Sequence, residues 1–305
     1  MGGPKLNPYV ALAIGVISVS TSAILVKVSA ADSGVIAFYR LFFAVLFMVP
    51  IFLMKYVHEL KNITKKDWLF SIIAGVFLAF HFILWFESLH YTSVTSSTVL
   101  VTLQPLFAFV GTFLFFKEKI SLKAILCGIA AIVGSVIISW GDFQISGMAL
   151  FGDFLALLAC ALVTAYLLFG QNVRKRLSLV TYTTVVYTIS AIVLFLYVLV
   201  IGEQLYPYPV AEWAYFVLLA LVPTLLGHSL FNWSLKWLST STISMAILFE
   251  PIGASVLAYF LLGEPILFTQ VIGGGIVIIG VSLFLLDERK SKAMLRPKGK
   301  IMIND

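Results

Sequence analysis

Ten runs of predominantly apolar residues, each about 20 residues long, fill almost all of this 305-residue chain, and that length is what one crossing of a bilayer requires. They lie at 9–30, 34–55, 68–89, 93–116, 121–140, 149–170, 179–202, 212–235, 241–262 and 267–286. Apolar residues make up 61% of the chain and charged residues 11%, against roughly 45–50% and 25% in soluble domains. A soluble fold cannot hide that much apolar surface, whereas a bilayer can. The expected fold class is therefore an all-α integral membrane protein, with no room for a soluble catalytic or nucleotide-binding domain.

The positive charge sorts by loop. With the N-terminus in the cytoplasm, Lys5, Lys55, Lys61, Lys65, Lys66, Lys117, Lys119, Lys123, Arg174, Lys175, Arg176, Lys236 and a tail containing Arg289, Lys290, Lys292, Arg296, Lys298 and Lys300 all fall inside. These are 18 of the 20 basic residues; only Lys27 and Arg40 fall toward the outside. Such a bias predicts N-in and C-in topology with ten spans. It also accounts for the net charge of +6 without nucleic acid as a partner. The first run, with Lys5 before it and Val28-Ser29-Ala30 after it, imitates a secretory signal. Removing it would leave nine spans and place every basic loop outside, so it is read as a membrane helix. Leu6 at the sixth position argues against myristoylation, and the Asn62-Ile63-Thr64 sequon falls in a loop expected in the cytoplasm. Cys127 and Cys160 sit inside apolar runs and read as small buried residues rather than a disulfide or a metal pair.

The chain also repeats itself. Residues 88–138 laid over 234–284 without gaps bring Pro105 onto Pro251, Gln104 onto Glu250, Glu118 onto Glu264, Gly128 onto Gly274 and Gly134 onto Gly280. Trp68 meets Trp213 when one residue is gapped. A copy offset by five spans lies in the opposite orientation, because five is odd, and inverted repeats characterise secondary transporters. The expected domains are a first five-helix repeat at 1–140, a second at 141–288 and a basic cytoplasmic tail at 289–305.

With these residues in view, Ser97–Ile138 and Ser241–Leu285 each resemble the EamA-type repeat of the drug/metabolite transporter superfamily. Each has a small polar entry, an apolar run with a central proline, a turn ending in glutamate and a glycine-containing last helix. The Phe38-Tyr39-Arg40-Leu41-Phe42 run, followed by Ala44, is similar to that family's second helix. Two departures stand out: the family's Trp-Gly pair is missing from the first helix, and the first repeat's turn reads Phe116-Lys117-Glu118. The resemblance implies a plasma-membrane carrier, in a bacterium the inner membrane. Its implied cargo is small metabolites or amino acids, most often exported, with protons as the coupling ion. It implies no cofactor, and oligomeric state is not readable.

Ionisable groups at membrane depth cost at least about 2.5–3.5 kcal/mol, so each is a functional candidate. Glu250 lies near the middle of the ninth span, and Pro251 beside it frees the carbonyl of Ile247 from the helical ladder. A carboxyl there suits proton coupling or recognition of a substrate amine; packing as a neutral group is the alternative. Gln104 with Pro105 occupies the equivalent place in the first repeat, as a substrate contact or as interhelical glue. His81 with Trp85, and His228 with Asn232, are four residues apart and share helix faces, either lining a cavity or packing between helices. Arg40, about two turns inside its helix, either draws a carboxylate toward an outer vestibule or locks the first repeat together.

Catalysis would want paired carboxylates, a metal cluster or an activated nucleophile. Asp32, Asp67, Asp142, Asp153, Asp287 and Asp305 all sit at span ends or in loops, and His58-Glu59 lacks a second histidine. An intramembrane enzyme is thus a remote reading, and a metal site is not expected. An uncoupled facilitator or channel is the nearer alternative, with Glu250 the residue that favours coupling.

Overall fold

The structure is a computed structural model that describes residues 6–118, 120–140, 147–263 and 265–294. Lys5, Lys119, Asp142, Glu264 and the tail beyond residue 294 lie outside the described residues. Ten helices follow one another, and the apolar runs mark their positions to within a few residues: α1 (Pro8–Val28), α2 (Ser33–Lys55), α3 (Lys65–Tyr91), α4 (Val94–Phe116), α5 (Leu122–Ser139), α6 (Gly147–Val173), α7 (Leu179–Ile201), α8 (Val210–Ser234), α9 (Thr240–Leu262) and α10 (Phe268–Met294). Among the described residues nine helices are long and apolar enough to cross a membrane, and α5 is shorter.

Helix starts are set by small hydroxyl residues. Ser93, Ser121, Ser178 and Ser239 each accept a hydrogen bond from a backbone N–H three residues on, at the heads of α4, α5, α7 and α9. Thr64 and Asp67 form a reciprocal capping box at the head of α3. Both α4 and α9 end on a left-handed residue, Lys117 at φ 56° and Gly263 at φ 70°. These two caps stand at equivalent places in the repeat, but only the second has the residue that adopts this conformation without strain.

Packing follows a pseudo-two-fold axis. Helices α2 and α7 lie against each other, as do α5 and α10, so each of these helices faces its own copy. The remaining major contacts come in exchanged pairs: α3 on α6 matches α8 on α1, and α3 on α7 matches α8 on α2. The α5–α10 seam is backbone against backbone. A Cβ placed on Gly134 would lie 2.8 Å from the Gly273 carbonyl oxygen, and one on Gly280 would lie 3.0 Å from that of Cys127. One pair breaks the symmetry, because α1 packs less closely on α9 than α6 does on α4. This leaves an apolar lateral groove of about 620 Å³ beside Val16, Ile17, Phe249 and Gly253.

Four helices are irregular, and all four line the centre. The proline breaks expected in α4 and α9 are present, between Thr102 and Pro105 and between Ile247 and Glu250. Two further irregularities lie outside that expectation. The first is a break of α1 at Ser20-Thr21, where no proline marks it. In the second, α8 widens into a π-helical segment at Ala220–His228 around Pro223, a proline inside an apolar run that is the same kind of signal as Pro105 and Pro251.

Two outcomes follow from this packing. Gly134→Leu wedges α5 off α10 and lowers stability by about 1–3 kcal/mol, read as a lower unfolding midpoint in detergent. Lys117→Gly removes a left-handed side-chain penalty and raises that midpoint, by about 1 kcal/mol; a midpoint that falls instead shows that the Lys117 side chain makes the larger contribution.

Candidate functional site

The four irregular helices, with α3 and α6, enclose a cavity of about 20 Å³, room for one water-sized group. Ser22, His81, Trp85, Gln104, His228 and Glu250 are its polar lining, with Val101 and Ile247 among the apolar walls. Five of the seven polar residues singled out from sequence therefore meet at one place. Gln104 and Glu250 reach it at the two proline breaks, the first from α4 and the second from α9. At the break in α1, Ser20 donates to the Glu250 backbone carbonyl (3.4 Å) and to that of Val16 (2.9 Å).

The histidines reach the cavity from opposite repeats. His81 Nδ1 stands 3.0 Å from the Ala159 carbonyl oxygen, so it carries the proton and, in the neutral ring, leaves Nε2 as an acceptor. The His81 and Trp85 rings stack with centroids 5.9 Å apart, and His228 meets His81 edge-on at 6.4 Å and Phe82 at 5.4 Å. Trp85 Nε1, Gln104 Oε1 and His228 Nδ1 are buried without hydrogen-bond partners. Buried polar groups are ordinarily paired, so three unpaired polar atoms at one small cavity are a departure from the rule.

Arg40 and Asn232 sit one layer further out. Arg40 is fully buried, and its Nε donates to Thr224 Oγ1 (2.7 Å) and its Nη1 to Ser22 Oγ (2.8 Å). The guanidinium lies 4.2 Å from the Phe82 ring centre, and Nη2 has no partner. Among the described residues no carboxylate comes within ion-pair distance of it. Arg40 thus ties α2 to the break of α1 and to the π segment of α8, and it reaches the cavity through Ser22. Asn232 donates to the Tyr166 hydroxyl and to the His228 carbonyl (2.8 Å), and so braces the helix that carries His228.

Acidic residues clasp both ends of the bundle in a pseudo-symmetric way. At the end carrying the basic loops, Asp67 pairs with Arg176, and Glu59 accepts from the Ser178 N–H at the head of α7 (3.2 Å). Burial pushes the Glu59 carboxyl upward, but hydrogen bonds from Thr181 and Ser178 outweigh it and hold the group below its ordinary value. At the opposite end, Glu212 accepts from the Ser29 hydroxyl and the Ala30 N–H, and Glu203 faces the backbone of Gly34 and Val35 at the head of α2. Burial, with Asp32 and Glu87 nearby, pushes the Glu203 carboxyl up. Single residues did not point to Ser22, Thr224, Tyr166 or the glutamate clasps; the repeat, which brings Asp67 onto Glu212 in the register that matches Trp68 with Trp213, is the signal that finds the clasps.

The EamA-like transporter family matches this sequence twice, at residues 7–140 and 150–286. Similar proteins include an uncharacterized transporter of Archaeoglobus fulgidus, 22% identical over 89% of this chain and 93% of its own length. Another is the uncharacterized transporter YxxF of Bacillus subtilis, 26% identical over 87% of this chain and 84% of its own. A solved crystal structure superposes with a TM-score of 0.76 at 14% identity, covering 93% of this chain and 98% of that one, which shows a shared fold. With ten helices in two inverted five-helix repeats and the family match spanning nearly its full length, the chain belongs to the EamA-like transporter family.

Proposed function

We propose that this protein is a secondary active transporter that exports small metabolites such as amino acids by alternating access, coupled to protons through Glu250. Residues 1–140 and 141–288 act as the two moving repeats, the tail from 289 is cytoplasmic, and the face bearing Lys55–Lys66, Arg174–Arg176 and Lys236 is the cytoplasmic face of a plasma membrane. The observation that carries this reading is the meeting of Gln104 and Glu250, equivalent residues of opposite repeats, at one cavity between broken helices. Only the second of this pair can titrate. A carboxyl reached from either side in turn holds a proton or a substrate ammonium, and exchange between the two couples their movements. The unpaired Trp85 donor, the Gln104 acceptor and His228 Nδ1, which donates or accepts according to its tautomer, supply recognition of the solute's other polar groups.

The test is uptake of a labelled amino-acid and metabolite panel into proteoliposomes, with and without an acidic lumen. One proton exchanged per solute allows up to about tenfold accumulation per pH unit, since each unit is worth about 1.36 kcal/mol. Wild type accumulates its substrate under the gradient, and Glu250→Gln does not. Equilibration alone, insensitive to the gradient and unchanged by Glu250→Gln, makes the protein a facilitator and Glu250 a packing group.

A further inference from the structure

A pseudo-two-fold axis predicts equivalent closures at the two ends of the passage, and the structure shows that they differ. At the basic face, Gln171 is buried near the end of α6 with both ends of its amide engaged. Its Oε1 accepts from the Thr240 N–H and the Thr240 hydroxyl, each at 2.7 Å, and its Nε2 donates to Glu118 Oε1 at 2.9 Å. Thr240 is the first residue of α9, where backbone donors lack helical partners, and Glu118 follows the left-handed cap of α4. One amide therefore ties the end of a first-repeat helix to the start of a second-repeat helix. One residue further along α9 and six residues back along α4, the Ser241 and Thr112 hydroxyls join the same two helices at 2.8 Å. A vestibule of about 450 Å³ opens outward from this point, with Glu118, Gln171 and Ser241 in its lining. Both α4 and α9 continue from here to Gln104 and Glu250 at the cavity.

At the opposite face, the first turns of α4 meet the second half of α9 around a crevice of about 20 Å³ lined by Thr95, Thr98, Ser255, Ala258 and Gln270. There the Ser255 hydroxyl donates to the Pro251 carbonyl of its own helix, and the Gln270 amide oxygen accepts from the nearby Leu267 N–H. The repeat correspondence of 146 residues puts Val94 where Thr240 stands, Thr95 where Ser241 stands and Ala258 where Thr112 stands. The place of Gln171 falls on Leu25, or on Val26 with the one-residue gap. Valine, leucine and alanine have no polar side-chain atom, so neither the bridging amide nor the hydroxyl pair can form there.

We propose that Gln171 is the latch of the gate on the basic face, and that the gate on the opposite face closes without a counterpart of that latch. Opening toward the basic face then requires the hydrogen bonds of one amide to break, while opening the other way does not. This rests on the alternating-access reading, and it makes Gln171 a positioning residue that sets how often each face opens without touching the solute.

The experiment reads access rather than transport. In a Cys127→Ala, Cys160→Ala background, Ser244→Cys places a reporter on α9 between latch and cavity, at a position fully buried in the closed bundle. A membrane-impermeant maleimide is applied to each face of oriented vesicles. Gln171→Leu speeds labelling from the basic face by about tenfold, the shift expected from losing one or two net hydrogen bonds, and does not speed it from the other face. Thr240→Val, which removes one of the bonds and keeps the side-chain shape, gives a smaller gain in the same direction and carries the test if the leucine variant fails to fold. Unchanged labelling in folded variants, or an equal gain from both faces, overturns the latch. A chain that labels as expected yet moves no solute of the panel overturns the transport reading and keeps the latch; one that transports with unchanged labelling overturns the latch alone.

Discussion

In the middle of a bilayer no water competes for backbone N–H and C=O groups, so a helix can be interrupted there only where the protein itself supplies new partners. The rest of this architecture depends on that constraint. At the break in α1, the hydroxyls of Ser18, Ser20 and Thr21 donate back to the carbonyls of Ile14, Val16 and Ser18. In the wide turn of α8, Thr224 and Ser229 donate to carbonyls five residues earlier. The breaks of α4 and α9 tighten by one residue, with Leu103 and Phe249 donating to Leu100 and Ala246. Among the described residues, the interrupted membrane helices are thus the ones that wall one cavity.

Arg40 shows how the same constraint treats a charge. A fully buried guanidinium carries a burial penalty of several kcal/mol. Hydrogen bonds to a charged group contribute about 1.5–3 kcal/mol each, and a desolvated contact with an aromatic face about 2. The hydroxyls of Ser22 and Thr224 together with the Phe82 ring therefore offset a burden of the same order. These partners come from both repeats, so the cation links the halves and is not held within the first one. Of the two roles that the sequence leaves open for it, locking is the closer to the contacts seen, although it spans more of the molecule than one repeat.

Most of the fold was legible because it rests on length and periodicity, which are properties of contiguous residues. The spans, the offset copy and the two proline breaks are all of that kind. Ser22 and Thr224 were not legible: a hydroxyl in an apolar run is the ordinary condition of a membrane helix, and only the arrival of Arg40 from another helix gives these two their importance. Gln171 was missed for a related reason, since a glutamine at a helix end is unremarkable until its partners are known to start and finish two other helices. Arg174 belongs by sequence to the loop charges, yet it is buried and donates to the carbonyls of Asn232 and Leu177, so part of the basic bias is structural. The His–Trp pair was easier, because two residues four apart on one helix must share a face whatever surrounds them.

The glycine seam between α5 and α10 has a consequence for which parts can slide. Helices whose carbonyls rest on glycine Cα atoms have lost the side-chain layer that elsewhere lets one helix ride over another. Moving α10 by one turn, about 5.4 Å, would bring Thr269 or Val277 to the place of Gly273 and press a β-branched side chain onto Gly134. The register of that pair is consequently fixed by the absence of atoms: α5 and α10, one from each repeat, cannot slide along one another, and any movement of the repeats at this contact is left to pivoting.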